Sequence, residues 1–115
     1  NKLFLSRLFN KDEISKCEKT KNSPNCFAKR FAAKEAFSKA IGIGISKGIR
    51  LNEIVIKNTK SGKPQIELLG KTKKIISKIL KKKFSIFLTL SDEKSFAVAT
   101  VIISVWKKNF YINHR

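Results

Sequence analysis

One carboxylate, Glu35, stands among four bases, Lys29, Arg30, Lys34 and Lys39, in the stretch KRFAAKEAFSKAIGIG that runs from Lys29 to Gly44. Such a cluster suits Mg2+ held together with a polyphosphate. The hard cation takes carboxylate and phosphate oxygens, while neighbouring ammonium groups share the remaining phosphate charge. On a helix, spacings of three and four place Glu35, Ser38 and Lys39 on one face, away from the phenylalanines. The plainer reading is a Glu35–Lys39 pair at i,i+4, worth roughly 0.2–0.5 kcal/mol. Gly42 and Gly44, just beyond, let a ligand come close to the backbone. The G-x-x-x-x-G-K-[ST] spacing of a P-loop is absent.

These residues need a helix to carry them, and the pattern supplies one from about Pro24 to Ile41. Phe27, Phe31, Phe37 and Ile41 form its apolar stripe. Ala32, Ala33, Ala36 and Ala40 admit close neighbours. The glycines at 42, 44 and 48 end it, since each tolerates positive φ. Upstream, Leu3, Phe4, Leu8 and Phe9 recur at helical spacing with Lys2 and Arg7 between them. Asn10 followed by Glu13 reads as a capping box opening a second short helix, KDEISKCEK. Downstream, EIVIKN alternates and predicts a strand over roughly Asn52 to Lys57. TKSGKP is a turn, QIELLG a short strand, and KTKKIISKILKKK an amphipathic helix. FSIFLTL and SFAVATVIISVWK read as a hairpin closed by the turn SDEK. The order α-α-α-β-β-α-β-β predicts an α+β domain with a mainly antiparallel sheet, one domain over residues 1–115.

The 26 Lys and Arg against 8 Asp and Glu give a net charge of +18, which draws anions and weakens with salt. Nucleic acid, an acidic protein, a phosphorylated cofactor and an anionic membrane surface all qualify as partners, and an AT-rich genome accounts for many lysines without any function. No apolar run reaches the roughly 18 residues of a membrane helix. The N-terminus acquires charge too early for a secretory signal. Cys17 and Cys26 could form a disulfide, but two free thiols in a reducing cytosol are the expectation. One His and two Cys without a C-x-x-C pair argue against structural zinc.

RFAAKEAFSKAIGIGI resembles the signature helix of the holo-acyl-carrier-protein synthases, the small group of 4′-phosphopantetheinyl transferases. SGKPQIEL is similar to the family's N-G-K-P strand entry, FLTLSDEKSFAVATVII to its V-S-I-S-H hairpin, and FLSRLFNKDEI to its early helix. The matches keep the family's order from about Phe4 to Val105. The resemblance implies that the phosphopantetheine arm of coenzyme A is moved onto a serine of an apo acyl carrier protein, with Mg2+ required and adenosine 3′,5′-bisphosphate released. It implies that Glu35 is a metal ligand and, with Lys39, catalytic. It puts Ser38 and Lys39 on the coenzyme A phosphates, and Lys63 and Pro64 at the pantetheine entrance, where a plain turn reads equally well. Phe4 and Arg7 match positions that meet the acidic carrier protein; the plain alternative is a core Phe4 and a solvated Arg7. A cytoplasmic homotrimer with shared active sites is the implied assembly.

Two departures stand out. The family begins with a strand, G-I-G-x-D-[IVL], whose aspartate is a second metal ligand, and nothing similar precedes Asn1. The chain contains no Met, so that strand is expected upstream. Asp92 stands where the family usually has a His facing the coenzyme A phosphates. Either the substitution is tolerated, the cation site has shifted, or activity is weakened; as a plain turn residue it would fix the hairpin. The competing function is a basic nucleic-acid-binding α+β module, carried by the lysine faces KTKK and KILKKK but lacking aromatic interleaving on the strands.

Overall fold

Asn10 sets where the second helix begins. Its side chain accepts from the Glu13 N–H at 3.0 Å, and Glu13 Oε1 accepts from the Asn10 N–H at 3.1 Å, closing the predicted capping box. The computed structural model describes residues 2–42, 48–81, 83–93 and 96–105. Helix α1 spans Lys2–Leu8, α2 Lys11–Lys19 and α3 Ser23–Ile41. The Asn22 side chain caps α3 by accepting from the Asn25 N–H. Gly42, at φ 89°, closes α3 with its N–H on the Ser38 carbonyl.

Two antiparallel hairpins follow. Strand β1 (Ile54–Asn58) pairs with β2 (Pro64–Leu68), from Ile54↔Leu68 to Asn58↔Pro64. After helix α4 (Gly70–Leu80), β3 (Phe84–Glu93) pairs with β4 (Phe96–Val105). The predicted α+β class and element order hold, with strands forming two two-stranded antiparallel sheets rather than one. Helix α3 lies across both. Phe37, Ile54, Leu68 and Ile76 join α3, β1, β2 and α4 in the main core. Ala33, Ile56 and Leu88 form a second cluster that joins α3 to both hairpins. Among the described residues, no helix is long and apolar enough to cross a membrane.

Three local expectations are corrected. Ser91, Asp92 and Glu93 are not turn but strand, because the ladder continues to Glu93↔Phe96. Cys17 and Cys26 are not free thiols but a disulfide, their Cα atoms 5.4 Å apart where α2 meets α3. Residues 51–53 form a 3-10 turn ahead of β1. That turn releases the Glu53 carboxylate for other work. Its Oε1 accepts from the N–H and the hydroxyl of Thr72, at 3.1 and 2.7 Å, capping α4, whose own N-cap residue Leu69 has no capping side chain. Burial pushes the Glu53 carboxyl up, but the bonds from Thr72 and Lys71 and the nearby Arg50 charge more than offset this and hold it below its usual range.

Gly70 makes this cap possible. Its φ is 56°, and a Cβ there would collide with the Glu53 carboxylate. Gly70→Ala is therefore expected to lose about 2 kcal/mol, from strained backbone and a displaced cap. A urea unfolding midpoint checks it; an unchanged midpoint refutes it.

Candidate functional site

Helix α3 turns an unusual stripe inward. Cys26, Arg30, Lys34 and Ser38, spaced by four, are all buried, with Ala33 and Phe37 beside them. Phe27, Phe31 and Ile41 are only partly covered. Each polar member of the stripe is tied down. Cys26 is bonded to Cys17, and Arg30 Nη2 donates to Asn58 Oδ1 at 3.3 Å. Burial lowers the Arg30 pKa, with Glu13 partly opposing. The Ser38 hydroxyl donates to the Lys34 carbonyl at 3.0 Å. Ser38 therefore does not share the outward face of Glu35 and Lys39, a correction to the expected grouping. Position 38 falls on the side that Lys34 and Phe37 press into the core.

Lys34 is the centre of the stripe, with no exposed surface. Its Nζ donates to Glu13 Oε1 at 2.7 Å and to the Leu51 carbonyl at 2.8 Å, and it sits 5.1 Å from the centroid of the Phe9 ring. Glu13 Oε2 accepts from the Ile56 N–H at 2.8 Å. Burial pulls the Lys34 pKa down, while the Glu13 charge and hydrogen bond partly restore it. Sequence reasoning recognised Glu13 only as a cap and placed Lys34 among the phosphate-facing bases. The available signal was the spacing 26, 30, 33, 34, 37, 38, which is a single helical stripe once its polar members are admitted to it.

Of the four bases around Glu35, only Lys39 faces outward without an acidic partner among the described residues. Lys29 has gone to Asp92, its Nζ 3.4 Å from Oδ2. The carboxylate at the position where the family usually has a His is thus matched by a cation from α3. Glu35 itself is exposed and forms no ion pair among the described residues, so the plain Glu35–Lys39 pair is not made.

The remaining predicted residues fall into separate groups. Gly42 caps α3 beyond Lys39, and among the described residues the space where its Cβ would stand is open. Gly44 lies outside the described residues. Lys63 ends the β1–β2 turn, where the Thr59 N–H bonds the Lys63 carbonyl at 2.8 Å, and Pro64 opens β2 opposite Asn58. Asn58 ties this turn to Arg30, so Lys63 and Asp92 both sit by the N-terminal half of α3. Glu35 is about 9 Å further along the axis from Lys29, at 1.5 Å per residue. Phe4 and Arg7 are exposed on α1, and the core reading of Phe4 is excluded. Arg7 and Arg50 line a groove of about 410 Å³ whose walls include Leu8, Ile49 and Leu51.

No group of three or more His, Cys, Asp or Glu side chains converges among the described residues. Glu35, exposed, is the carboxylate that α3 would offer to a divalent metal. That donor set fits Mg2+, which keeps several waters and is bound through one or two carboxylates plus substrate phosphates.

Residues 1–101 match the model of the 4′-phosphopantetheinyl transferase superfamily. The chain is 45% identical over 101 residues to the holo-[acyl-carrier-protein] synthase of Pelagibacter ubique (strain HTCC1062), covering 87% of this chain and 79% of that one. It is 42% identical over 103 residues to the synthase of Ehrlichia chaffeensis, covering 87% and 76%. The structure is similar to the holo-[acyl-carrier-protein] synthase of Neisseria meningitidis, with TM-score 0.78 and 28% identity over 92% of this chain and 82% of that one. It is also similar to the Helicobacter pylori synthase in complex with coenzyme A, with TM-score 0.72 and 30% identity over 89% and 82%.

Proposed function

The chain belongs to the 4′-phosphopantetheinyl transferase superfamily, and from that premise we infer that it works as a holo-[acyl-carrier-protein] synthase. It moves the 4′-phosphopantetheine group of coenzyme A to a serine of an apo acyl carrier protein. The serine hydroxyl gives up its proton, its oxygen bonds to the phosphorus that carries the pantetheine, the diphosphate bridge breaks, and adenosine 3′,5′-bisphosphate leaves, with net release of one proton. The single observation that carries the site assignment is Glu35, an exposed carboxylate without an ion pair among the described residues, on a helix otherwise pinned to the core.

In this reading Glu35 holds Mg2+, which when bound neutralises charge on the diphosphate. Lys39, one helical turn on, holds phosphate oxygens and offsets charge on the leaving group. The open backbone at Gly42 lets the nucleotide approach, with Gly44 assigned alongside it. Ser38 backs this surface from inside α3; its hydroxyl is committed to the Lys34 carbonyl, so a phosphate contact requires a different rotamer. Lys63 and Pro64 border the pantetheine, and Lys29 cancels the repulsion Asp92 would exert on phosphate.

A homotrimer suits these groupings, because one chain leaves Lys63 and Asp92 at the other half of α3 from Lys39. The β3–β4 hairpin supports it with an exposed apolar face: Phe87 is 53%, Phe96 71% and Ile102 60% accessible, with Phe87 directly opposite Ile102. Residues 1–115 act as one transferase domain in this assembly, and coenzyme A and the carrier protein place its work in the cytoplasm.

Phe4 and Arg7 receive the carrier protein. The groove beside Arg7 combines two guanidinium groups with apolar walls, which fits an acidic amphipathic helix. Arg7→Glu is expected to raise KM for the carrier about tenfold and leave KM for coenzyme A unchanged. Equal KM values for the two proteins refute this docking assignment. The activity itself is tested by incubating the protein with coenzyme A, Mg2+ and an apo carrier and weighing the carrier. A gain of one phosphopantetheine is expected, and an unchanged mass at all Mg2+ concentrations refutes the proposal.

A further inference from the structure

The buried Glu13–Lys34 pair does more than hold two helices together. We propose that it is a positioning element for Glu35: it fixes the rotation of α3 about its own axis and so sets where the metal carboxylate stands. The inference rests on the assignment of Glu35 as the metal ligand.

Lys34 immediately precedes Glu35, so the setting of one fixes the direction of the other, about 100° around the helix. The Lys34 ammonium is gripped from two sides, by Glu13 of α2 and by the Leu51 carbonyl ahead of β1. Glu13 is gripped in turn by the Asn10 and Ile56 N–H groups. One carboxylate thus references α3 to the start of α2 and to the middle of β1. Phe37 and the Cys17–Cys26 disulfide hold α3 against its neighbours, and the Lys34 bonds add a fixed reference one residue from Glu35. Hydrogen bonds have fixed lengths and directions, and they specify one setting. At a side-chain radius of roughly 5–6 Å, a turn of about 20° would carry the Glu35 carboxylate about 2 Å. Constellations of this kind tolerate about 0.5 Å.

The test uses two variants chosen to fold. Glu13→Asp keeps both charges but shortens the anchor by one methylene. Glu13→Gln/Lys34→Met removes the pair together and leaves no lone buried charge. Mn2+ is titrated into each protein with coenzyme A present, and free ion is read by electron paramagnetic resonance. Far-ultraviolet circular dichroism confirms the fold. Both variants are expected to bind Mn2+ about tenfold more weakly. The Mg2+ concentration for half-maximal transfer should rise by the same factor, while kcat at saturating Mg2+ stays within about twofold. A purely structural pair would move the melting temperature and leave the Mn2+ affinity of the folded protein alone. If the double variant does not fold, Glu13→Asp decides. Wild-type Mn2+ affinity in the folded variants overturns the proposal. Glu35→Gln separates it from its premise: if that variant loses Mn2+ while the pair variants keep it, only the positioning role fails. If Glu35→Gln keeps Mn2+ fully, both fail.

Discussion

Replacing Glu35 with glutamine is expected to slow carrier modification by about 10³-fold, with circular dichroism and melting temperature unchanged. The size of the loss follows from chemistry. Glutamine keeps the shape of the side chain but removes the charge proposed to hold a divalent cation. No group of three or more His, Cys, Asp or Glu side chains that could hold a metal lies among the described residues. The unchanged stability follows from structure. Glu35 is exposed and makes no ion pair among the described residues, so the fold gives up nothing when the charge goes. Carrier mass after single-turnover incubation, read alongside a thermal melt, checks both halves. Full activity in the glutamine variant would remove the metal assignment.

The residue next to it should behave in the opposite way. Lys34→Met is expected to cost about 3–5 kcal/mol of stability, because it leaves the buried Glu13 carboxylate without its cation. Glu13 would keep the Asn10 and Ile56 N–H groups, which satisfy part of its charge but cannot neutralise it. Adding Glu13→Gln to Lys34→Met should recover most of the loss, since an uncharged pair of similar volume has no ion to bury. Urea unfolding of the two singles and the double gives the coupling between them. Additive losses would mean that the two side chains do not act as a pair. The contrast between adjacent residues is the sharper test: one substitution removes chemistry and spares the fold, and the other strikes the fold first.

Much of this protein was legible in its residue order. Asn10 and Glu13 announced the start of α2 because a capping box is local, its partners three residues apart. Gly42 announced the end of α3, and Gly42 and Gly48 both have the positive φ that glycine permits. The alternation of EIVIKN, the short strand QIELLG, the hairpin stretches FSIFLTL and SFAVATVIISVWK and the lysine-sided pattern of α4 indicated the class and order of the elements. Glu35 and Lys39 were assigned from spacing and family resemblance, and both are exposed on α3.

What the residue order could not supply was every arrangement that depends on partners far along the chain. Polar side chains are assigned to water by default, so Arg30, Lys34 and Ser38 read as a wet face. Their burial needs Asn58, Glu13 and Leu51, which only packing brings to α3. Glu53 capping α4 and Lys29 answering Asp92 are hidden for the same reason. Local periodicity and capping are short-range properties that the sequence by itself determines. Which charge is spent inside the protein and which is left for a ligand was decided only in the tertiary structure, because burying an ion is favourable only where a distant partner meets it.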